Sequence, residues 1–480
     1  IKKATKGAKS KREIEKESMA DCAVMEGAEY GGMSGGAPES VGGTSGSAEA
    51  NGSLSDEQQN GSSTSSSPDA AAAPRPLRPR SKVASAETLP LKLLSLLLIP
   101  IRGIWCFLHV TCFFVAYFGF MLPVLWARPV WPRLYWYVEG KLYRWLQAFI
   151  GYWGYTAGYD VYEYGDEITR EIAEGRVLVM ANHQSTADVP AMLACLQSKG
   201  VASRKTVWLM DVMFRLTPFG VIGRMHGDYF IQQGKATRDK ELIRLKKHLQ
   251  HVYWERDRRW VILFPEGGFL CNRVESSQAY GRKNGFPHLE HITLPRFGAI
   301  KTILEEVGPR HDTDSSSDEN RPRSSSRLKL LKDTVGAIRE KKYIKETRPP
   351  IKYVLDVTIA YPNGQPLSLA TMAFGTREKC DIAVDYKIYK ADEVPFRDDD
   401  ALRDWMYAAF QRKDQILANF YRTGEFHEGE QGTRVSFSWG KIIGMNAFWA
   451  ASFIIQVYVY KWLIIQFFSL LFAPFYWFAI

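Results

Sequence analysis

The sequence predicts an α/β fold with membrane-anchoring helices at its two ends, and three observations predict it. First, two short apolar runs, Val177–Ala181 and Trp260–Leu263, each lead straight into a polar cluster. The clusters are Asn182-His183-Gln184-Ser185-Thr186-Ala187-Asp188 and Phe264-Pro265-Glu266-Gly267. A buried strand that delivers polar side chains at its end is how α/β enzymes present chemistry. Second, apolar runs alternate with amphipathic stretches from about residue 150 to 425. Third, long apolar segments flank this region on both sides.

Taken in order, residues 1–90 are rich in Gly, Ser, Ala and Pro and read as a disordered low-complexity tail. The chain opens without an apolar run, so no cleavable secretory signal is expected. Residues 91–149 form an N-terminal anchor region. Its clean part, Ile104 to Leu125, is interrupted only by His109 and is long enough to span a bilayer. Trp126, Trp131, Tyr135, Trp136 and Tyr137 follow, as expected at headgroup level. Basic residues lie on both sides, so the positive-inside rule gives no orientation.

Residues 150–307 carry both motifs. Val177–Ala181, Thr206–Met210, Trp260–Phe264 and Ile292–Pro295 read as strands. Val189–Lys199 reads as a helix whose opening, with Asp188 and Pro190, suits a helix N-terminus. Lys235–Tyr253 reads as a basic helix with Leu242, Leu245 and Leu249 on one face. Residues 308–350 hold a Ser/Asp/Arg-rich stretch with no core face and read as a mobile insertion. In 351–430, Tyr353–Ala360 and Ile382–Tyr389 read as strands and Ala401–Tyr421 as an amphipathic helix. In 431–480 the only charge after Ile442 is Lys461. Two segments, Ile442–Tyr460 and Trp462–Ile480, are expected to span or to form a hairpin with Lys461 snorkelling at the turn.

The net charge of +10 fits nucleic acid or an anionic membrane surface. The apolar segments favour the lipid bilayer, and no nucleic-acid fold signature is present. No protein partner can be inferred. The six cysteines lie far apart without a Cys-x-x-Cys, so neither a disulfide framework nor a metal site is expected.

His183 and Asp188 carry the chemistry. A neutral imidazole is the natural general base near neutral pH, and a carboxylate on its far nitrogen fixes the tautomer. No serine or cysteine is obviously paired with His183; Ser185 is near, but it suits a helix cap equally. A base without its own nucleophile suits activation of a hydroxyl that belongs to the substrate. Among other features, Gly32-Met33-Ser34-Gly35-Gly36 is a chance elbow motif in low-complexity sequence, and His248 and His251 read as solvated. Arg256, Arg258 and Arg259 read as a surface patch facing lipid headgroups or coenzyme A phosphates.

The two motifs together resemble those of the glycerolipid (1-acylglycerol-3-phosphate-type) acyltransferase family. The likeness extends over roughly residues 90–480 and includes His226-Gly227-Asp228-Tyr229-Phe230-Ile231, Thr293-Leu294-Pro295-Arg296 and Ala360-Tyr361-Pro362. Within the family it is nearest to a branch that acylates lysophosphatidylglycerol. His-x4-Asp alone is a weak signal; with Phe-Pro-Glu-Gly downstream and membrane anchors it is strong.

The resemblance implies one acyltransferase domain, built on a mixed sheet flanked by helices, in the endoplasmic reticulum membrane. It implies acyl-CoA as co-substrate, a lysophospholipid as acceptor, and neither cofactor nor metal. His183 and Asp188 would be catalytic. Phe264, Pro265, Glu266 and Gly267 would form the acceptor motif, with Glu266 and Gly267 holding its glycerol backbone. Pro295 would lie near the acyl-CoA site.

Relatives that form phosphatidic acid usually carry arginine where this chain has Gln233 and Phe269. Arginine grips a terminal phosphate through two hydrogen bonds, which neither residue replaces. Arg224, Lys235, Arg238 and Arg273 are the candidates to compensate. The departure favours a diester headgroup. A monoacylglycerol or lysophosphatidic acid acceptor is the alternative, and a membrane scaffold or lipid carrier is the non-enzyme reading.

Overall fold

The computed structural model describes residues 89–200, 202–234, 236–310 and 348–478. The tail and most of the insertion expected at 308–350 therefore lie outside the described residues, as does Lys235. In chain order the helices of six or more residues are α1 (Leu89–Val124), α2 (Pro132–Ala157), α3 (Asp188–Ser198), α4 (Pro218–His226), α5 (Arg238–His248), α6 (Leu270–Asn284), α7 (Gly298–Val307), α8 (Leu369–Phe374), α9 (Asp399–Thr423) and α10 (Trp439–Phe478). The strands are β1 (Asp160–Gly165), β2 (Val177–Ala181), β3 (Thr206–Asp211), β4 (Tyr229–Ile231), β5 (Trp260–Leu263), β6 (Tyr353–Ala360), β7 (Asp381–Lys390) and β8 (Thr433–Arg434).

The strands form one mixed sheet in the order β4-β3-β5-β2-β6-β7-β1-β8. The first five run parallel to one another, and β7 reverses the direction against β6. Strand β2 shows why helices cover both faces. Val177, Val179 and Ala181 enter a core shared with α1, α2 and α3, whereas Leu178 and Met180 enter a second core with Leu245, Ile300, Ile303 and Met406. A strand buried on both faces reads as a continuous apolar run, as this one does. Gly151 lets α2 cross closely over α3, because a Cβ there would lie 3.0 Å from the Ala194 nitrogen.

Helix α2 is fastened to the edge where the parallel strands begin. Glu139 is fully buried and takes a 2.7 Å hydrogen bond from Nδ1 of the equally buried His226, whose Nε2 faces the Thr206 carbonyl at 3.1 Å. The Tyr143 ring stacks on His226 at 3.4 Å, and its hydroxyl donates to Asp228 at 3.0 Å. Burial alone would push Glu139 up, but His226 and Arg258 outweigh it and hold the carboxyl at about 2. Burial pushes Asp228 up to about 7. Arg258 is thus a core residue paired with Glu139 at 3.4 Å, not part of a surface patch. Arg256 lies over the Trp136 ring and donates to the Met225 carbonyl.

Two helical stretches, Leu97–Val124 and Trp439–Phe472, are long and apolar enough to cross a bilayer. They lie side by side: Gln456 donates to the Ala116 carbonyl at 3.1 Å and Tyr460 to the Gly119 carbonyl at 2.6 Å. Their outer faces expose residues such as Phe107 and Leu470. Two expectations fail here. The C-terminal hairpin is one continuous helix that runs through Lys461 without a turn, since no Gly or Pro from Met445 to Ala473 breaks it. Ile292–Pro295 is not a strand. Its backbone donors are taken by side chains instead, Thr293 by Glu266 and Leu294 by Ser277.

Candidate active site

Strands β2, β5 and β6 are parallel neighbours, so His183, Glu266 and Tyr361 follow strand ends on the same edge of the sheet. Two side chains fix those ends. Asn182 closes both its amide groups on the Ile359 backbone, at 2.7 and 3.0 Å. The fully buried Lys413 of α9 donates to the Met180 and Val357 carbonyls and pairs with Asp356 at 2.8 Å.

His183 Nδ1 lies 2.9 Å from Asp188 Oδ2. Asp188 is fully buried at the first position of α3. Its Oδ2 also accepts the Gln184 and Ser185 amides, at 2.7 and 2.9 Å, and its Oδ1 accepts the Tyr361 hydroxyl at 2.7 Å. With the carboxylate held by acceptor geometry on every side, Nδ1 of His183 carries the proton and Nε2 is left as the basic nitrogen. Nε2 makes no hydrogen bond among the described residues, and the side chain is 14 % exposed. The Phe264 ring stacks on the imidazole at 3.9 Å, and Phe269 tilts against it at 4.4 Å.

Glu266 joins the two motifs. Its Oε1 accepts the His183 amide at 2.7 Å, and its Oε2 accepts the Thr293 amide and hydroxyl at 2.9 and 2.7 Å. The side chain is buried, which pushes its pKa up. Both oxygens thus accept from donors of the protein itself. Ser185 is similarly engaged, donating to the Leu367 carbonyl at 2.5 Å and accepting the Ala187 amide.

Gly267 turns with φ +70°, in the left-handed region that suits glycine, and the Arg296 guanidinium lies over it. Arg273 Nη1 donates to the Gly267 carbonyl at 3.3 Å. Pro295 is buried nearby, and the Arg296 amide donates to the Pro265 carbonyl. Arg224 is placed elsewhere. It sits exposed in the last turn of α4, which runs back to the edge where the parallel strands begin. The reading of the sequence missed Tyr361, Thr293, Lys413 and Arg296 as parts of the site. All four lie far along the chain from His183, and only the sheet topology brings them in. Asp385, His427 and Glu430 are the one metal-ligand-type cluster among the described residues. Arg412 already lies 3.1 Å from Asp385 there.

Comparison with known proteins gives the family. Acyl-CoA:lysophosphatidylglycerol acyltransferase 1 of Mus musculus is 40 % identical over 61 % of this chain and 74 % of its own length. The chain belongs to the glycerolipid acyltransferase family. Its Homo sapiens relative of the same name is 38 % identical over the same shares. The Acyltransferase family model matches residues 161–295, which contain both motifs, and the Acyltransferase C-terminus model matches residues 374–439. The crystal structure of the 1-acyl-sn-glycerophosphate acyltransferase PlsC from Thermotoga maritima aligns over 68 % of this chain and 97 % of its own, with 13 % identity and a TM-score of 0.36. This acyltransferase is a membrane protein, with its two long apolar helices packed against each other and against α2.

Proposed function

We propose that this acyltransferase moves a fatty acyl chain from acyl-CoA to a glycerol hydroxyl of a lysophospholipid with a diester headgroup, in the endoplasmic reticulum membrane. The observation that carries the proposal is the open Nε2 of His183, aligned by the buried Asp188. In the reaction Nε2 takes the proton of the acceptor hydroxyl as its oxygen attacks the thioester carbonyl. The C–S bond then breaks, and the coenzyme A thiolate leaves and recovers that proton from the imidazolium. Asp188 stays ionised throughout and stabilises the imidazolium. Glu266 acts as a positioning residue, holding the His183 backbone and the Thr293 segment in one frame. Two relatives named for lysophosphatidylglycerol support that headgroup. The neutral residues Gln233 and Phe269, where arginine is expected in relatives that form phosphatidic acid, support a singly charged phosphate.

The test is purified protein in detergent with labelled acyl-CoA and a panel of acceptors with matched acyl chains. The panel is lysophosphatidylglycerol, lysophosphatidylethanolamine, lysophosphatidic acid and monoacylglycerol. Transfer to the diesters with the highest kcat/KM is expected. A preference for lysophosphatidic acid or monoacylglycerol overturns the acceptor assignment, and no transfer to any of the four overturns the function.

A further inference from the structure

Beside the candidate active site three arginines converge without a carboxylate to pair them. The Arg296 guanidinium lies over Gly267, so close that a Cβ there would meet its Cζ at 3.0 Å. Arg273 reaches the Gly267 carbonyl. Arg238 stands at the first position of α5, close to Phe297 and Gly298. A cation in the first turn of a helix is opposed by the helix dipole. Among the described residues none of the three forms an ion pair. Their mutual repulsion is felt: burial, then Arg273 and Arg238, lowers Arg296 to about 10. Like charges left unneutralised at one mouth are a place for an anion, and their forked donors suit phosphate oxygens.

Arg296 is itself aimed by a neutral relay. Its Nη1 donates to Gln233 Oε1 at 3.0 Å, and Gln233 Nε2 donates to Asp211 Oδ2 at 2.9 Å. Gln233 follows β4 and Asp211 ends β3, on the same edge as the two motifs. The amide thus occupies one arm of the arginine fork and keeps an anionic carboxylate behind it.

We propose that Arg296, with Arg273 and Arg238, forms a phosphate subsite beside His183, and that the Asp211–Gln233 relay tunes it to a phosphate bearing one negative charge. The proposal rests on the acyltransfer reading above for the source of the phosphate, but the subsite is a binding property in its own right. The relay has a direct consequence for choice of ligand. The Asp211 carboxylate repels the second charge of a phosphomonoester and costs a diester less. A glycerophosphodiester headgroup and the diphosphate bridge of coenzyme A share this chemistry.

Arg296 belongs to none of the hydrophobic clusters, so its substitution leaves the core intact. Arg296→Ala and Arg296→Lys should be compared with the unaltered protein in steady-state kinetics, with acceptor and acyl-CoA varied separately. For Arg296→Ala we expect kcat/KM for lysophosphatidylglycerol to fall about 10–100-fold relative to monoacylglycerol, the scale of a lost charge-assisted pair. Arg296→Lys should recover part of that loss. A loss seen only as a raised KM for acyl-CoA, and absent with an acyl-pantetheine donor, places the coenzyme phosphate in the subsite instead. Asp211→Asn should raise use of lysophosphatidic acid relative to lysophosphatidylglycerol severalfold, its one amide oxygen accepting from Gln233 in place of the exposed Met213 amide. Thermal stabilisation of the detergent-solubilised protein by lysophosphatidylglycerol, read without turnover, separates the two readings. If that stabilisation is unchanged by Arg296→Ala and neither KM moves, the subsite is wrong even where acyl transfer is confirmed. If the shift depends on Arg296 but no acyl transfer occurs, the subsite stands and the reaction does not.

Discussion

The sheet carries a histidine–carboxylate pair at each of its two edges, and the pairs look alike until their second nitrogens are compared. His183 and Asp188 are 2.9 Å apart, and His226 and Glu139 are 2.7 Å apart. Both carboxylates are fully buried. His226 is sealed, with its second nitrogen against the Thr206 carbonyl and its ring under Tyr143. His183 leaves its second nitrogen open between two aromatic rings. Proximity to a carboxylate is therefore common to a structural clasp and a candidate base; what separates them is an unused lone pair on a partly exposed ring.

Paired substitutions put the contrast to its hardest test. His183→Ala should lower kcat about 10²–10⁴-fold, the usual scale of general-base catalysis, with the thermal midpoint in detergent nearly unchanged. His226→Ala should do the reverse. It leaves the buried Glu139 short of a partner, at a cost of about 3–5 kcal/mol in stability, while kcat per folded molecule stays within a few-fold. Loss of turnover in a well-folded His226 variant would erase the distinction.

The next contrast concerns Glu266. In Glu266→Gln an amide donor must face either the His183 amide or the Thr293 amide, leaving donors opposed at a cost of about 2–3 kcal/mol. We expect kcat and the thermal midpoint to fall together, with both KM values little changed. A selective rise in the acceptor KM would restore the direct acceptor contact that the buried geometry argues against.

Tyr361→Phe is a smaller change. It leaves Asp188 Oδ1 buried without its donor, at about 1–2 kcal/mol, or roughly 5–30-fold in kcat if all of it is felt in the transition state. Equal activity in the variant would show that the backbone amides alone hold Asp188.

The smallest effect is a pH dependence at the sealed edge. Asp228 sits at about 7, above the ~3.9 of an unfolded aspartate. Between those values the native state holds a proton that the unfolded chain has lost, so this group's stabilising contribution fades as pH rises from about 4 to 7. Asp228→Asn does not titrate and keeps an acceptor for the Trp208 amide. Its thermal midpoint relative to the unaltered protein should therefore climb across that window. A difference that stays flat with pH would mean that Asp228 is ionised in the native state.

What the sequence made legible was whatever sits within one strand-loop-helix unit. The run Val177–Ala181, the base at its end and the carboxylate that opens α3 are local, and the fold class follows from how often that pattern recurs. The sheet order and the members of the site contributed by β6, α9 and the segment before α7 are non-local, and no periodicity announces them. Strand β1 was missed because its partly exposed Tyr162, Glu163 and Tyr164 dilute the apolar signal. Arg258 was misplaced because three arginines in four residues look like a solvated face, whereas the fold pulls the middle one inward to meet Glu139. Arg296 stood inside a motif already noticed, but its weight comes from Gln233, 63 residues earlier.

The Tyr361–Asp188 hydrogen bond also bears on how the protein is made. Its two ends are 173 residues apart. At synthesis rates of ~5–20 residues per second, roughly 9–35 s pass between their appearances. For that interval α1 has already been made, yet β2 lacks its β6 neighbour and presents an unpaired edge to whatever strand it meets. The nascent chain is thus at once unable to align its base and open to mispairing, and shielding of the β2 edge by a ribosome-associated or membrane-associated chaperone is most valuable just before residue 353 is translated.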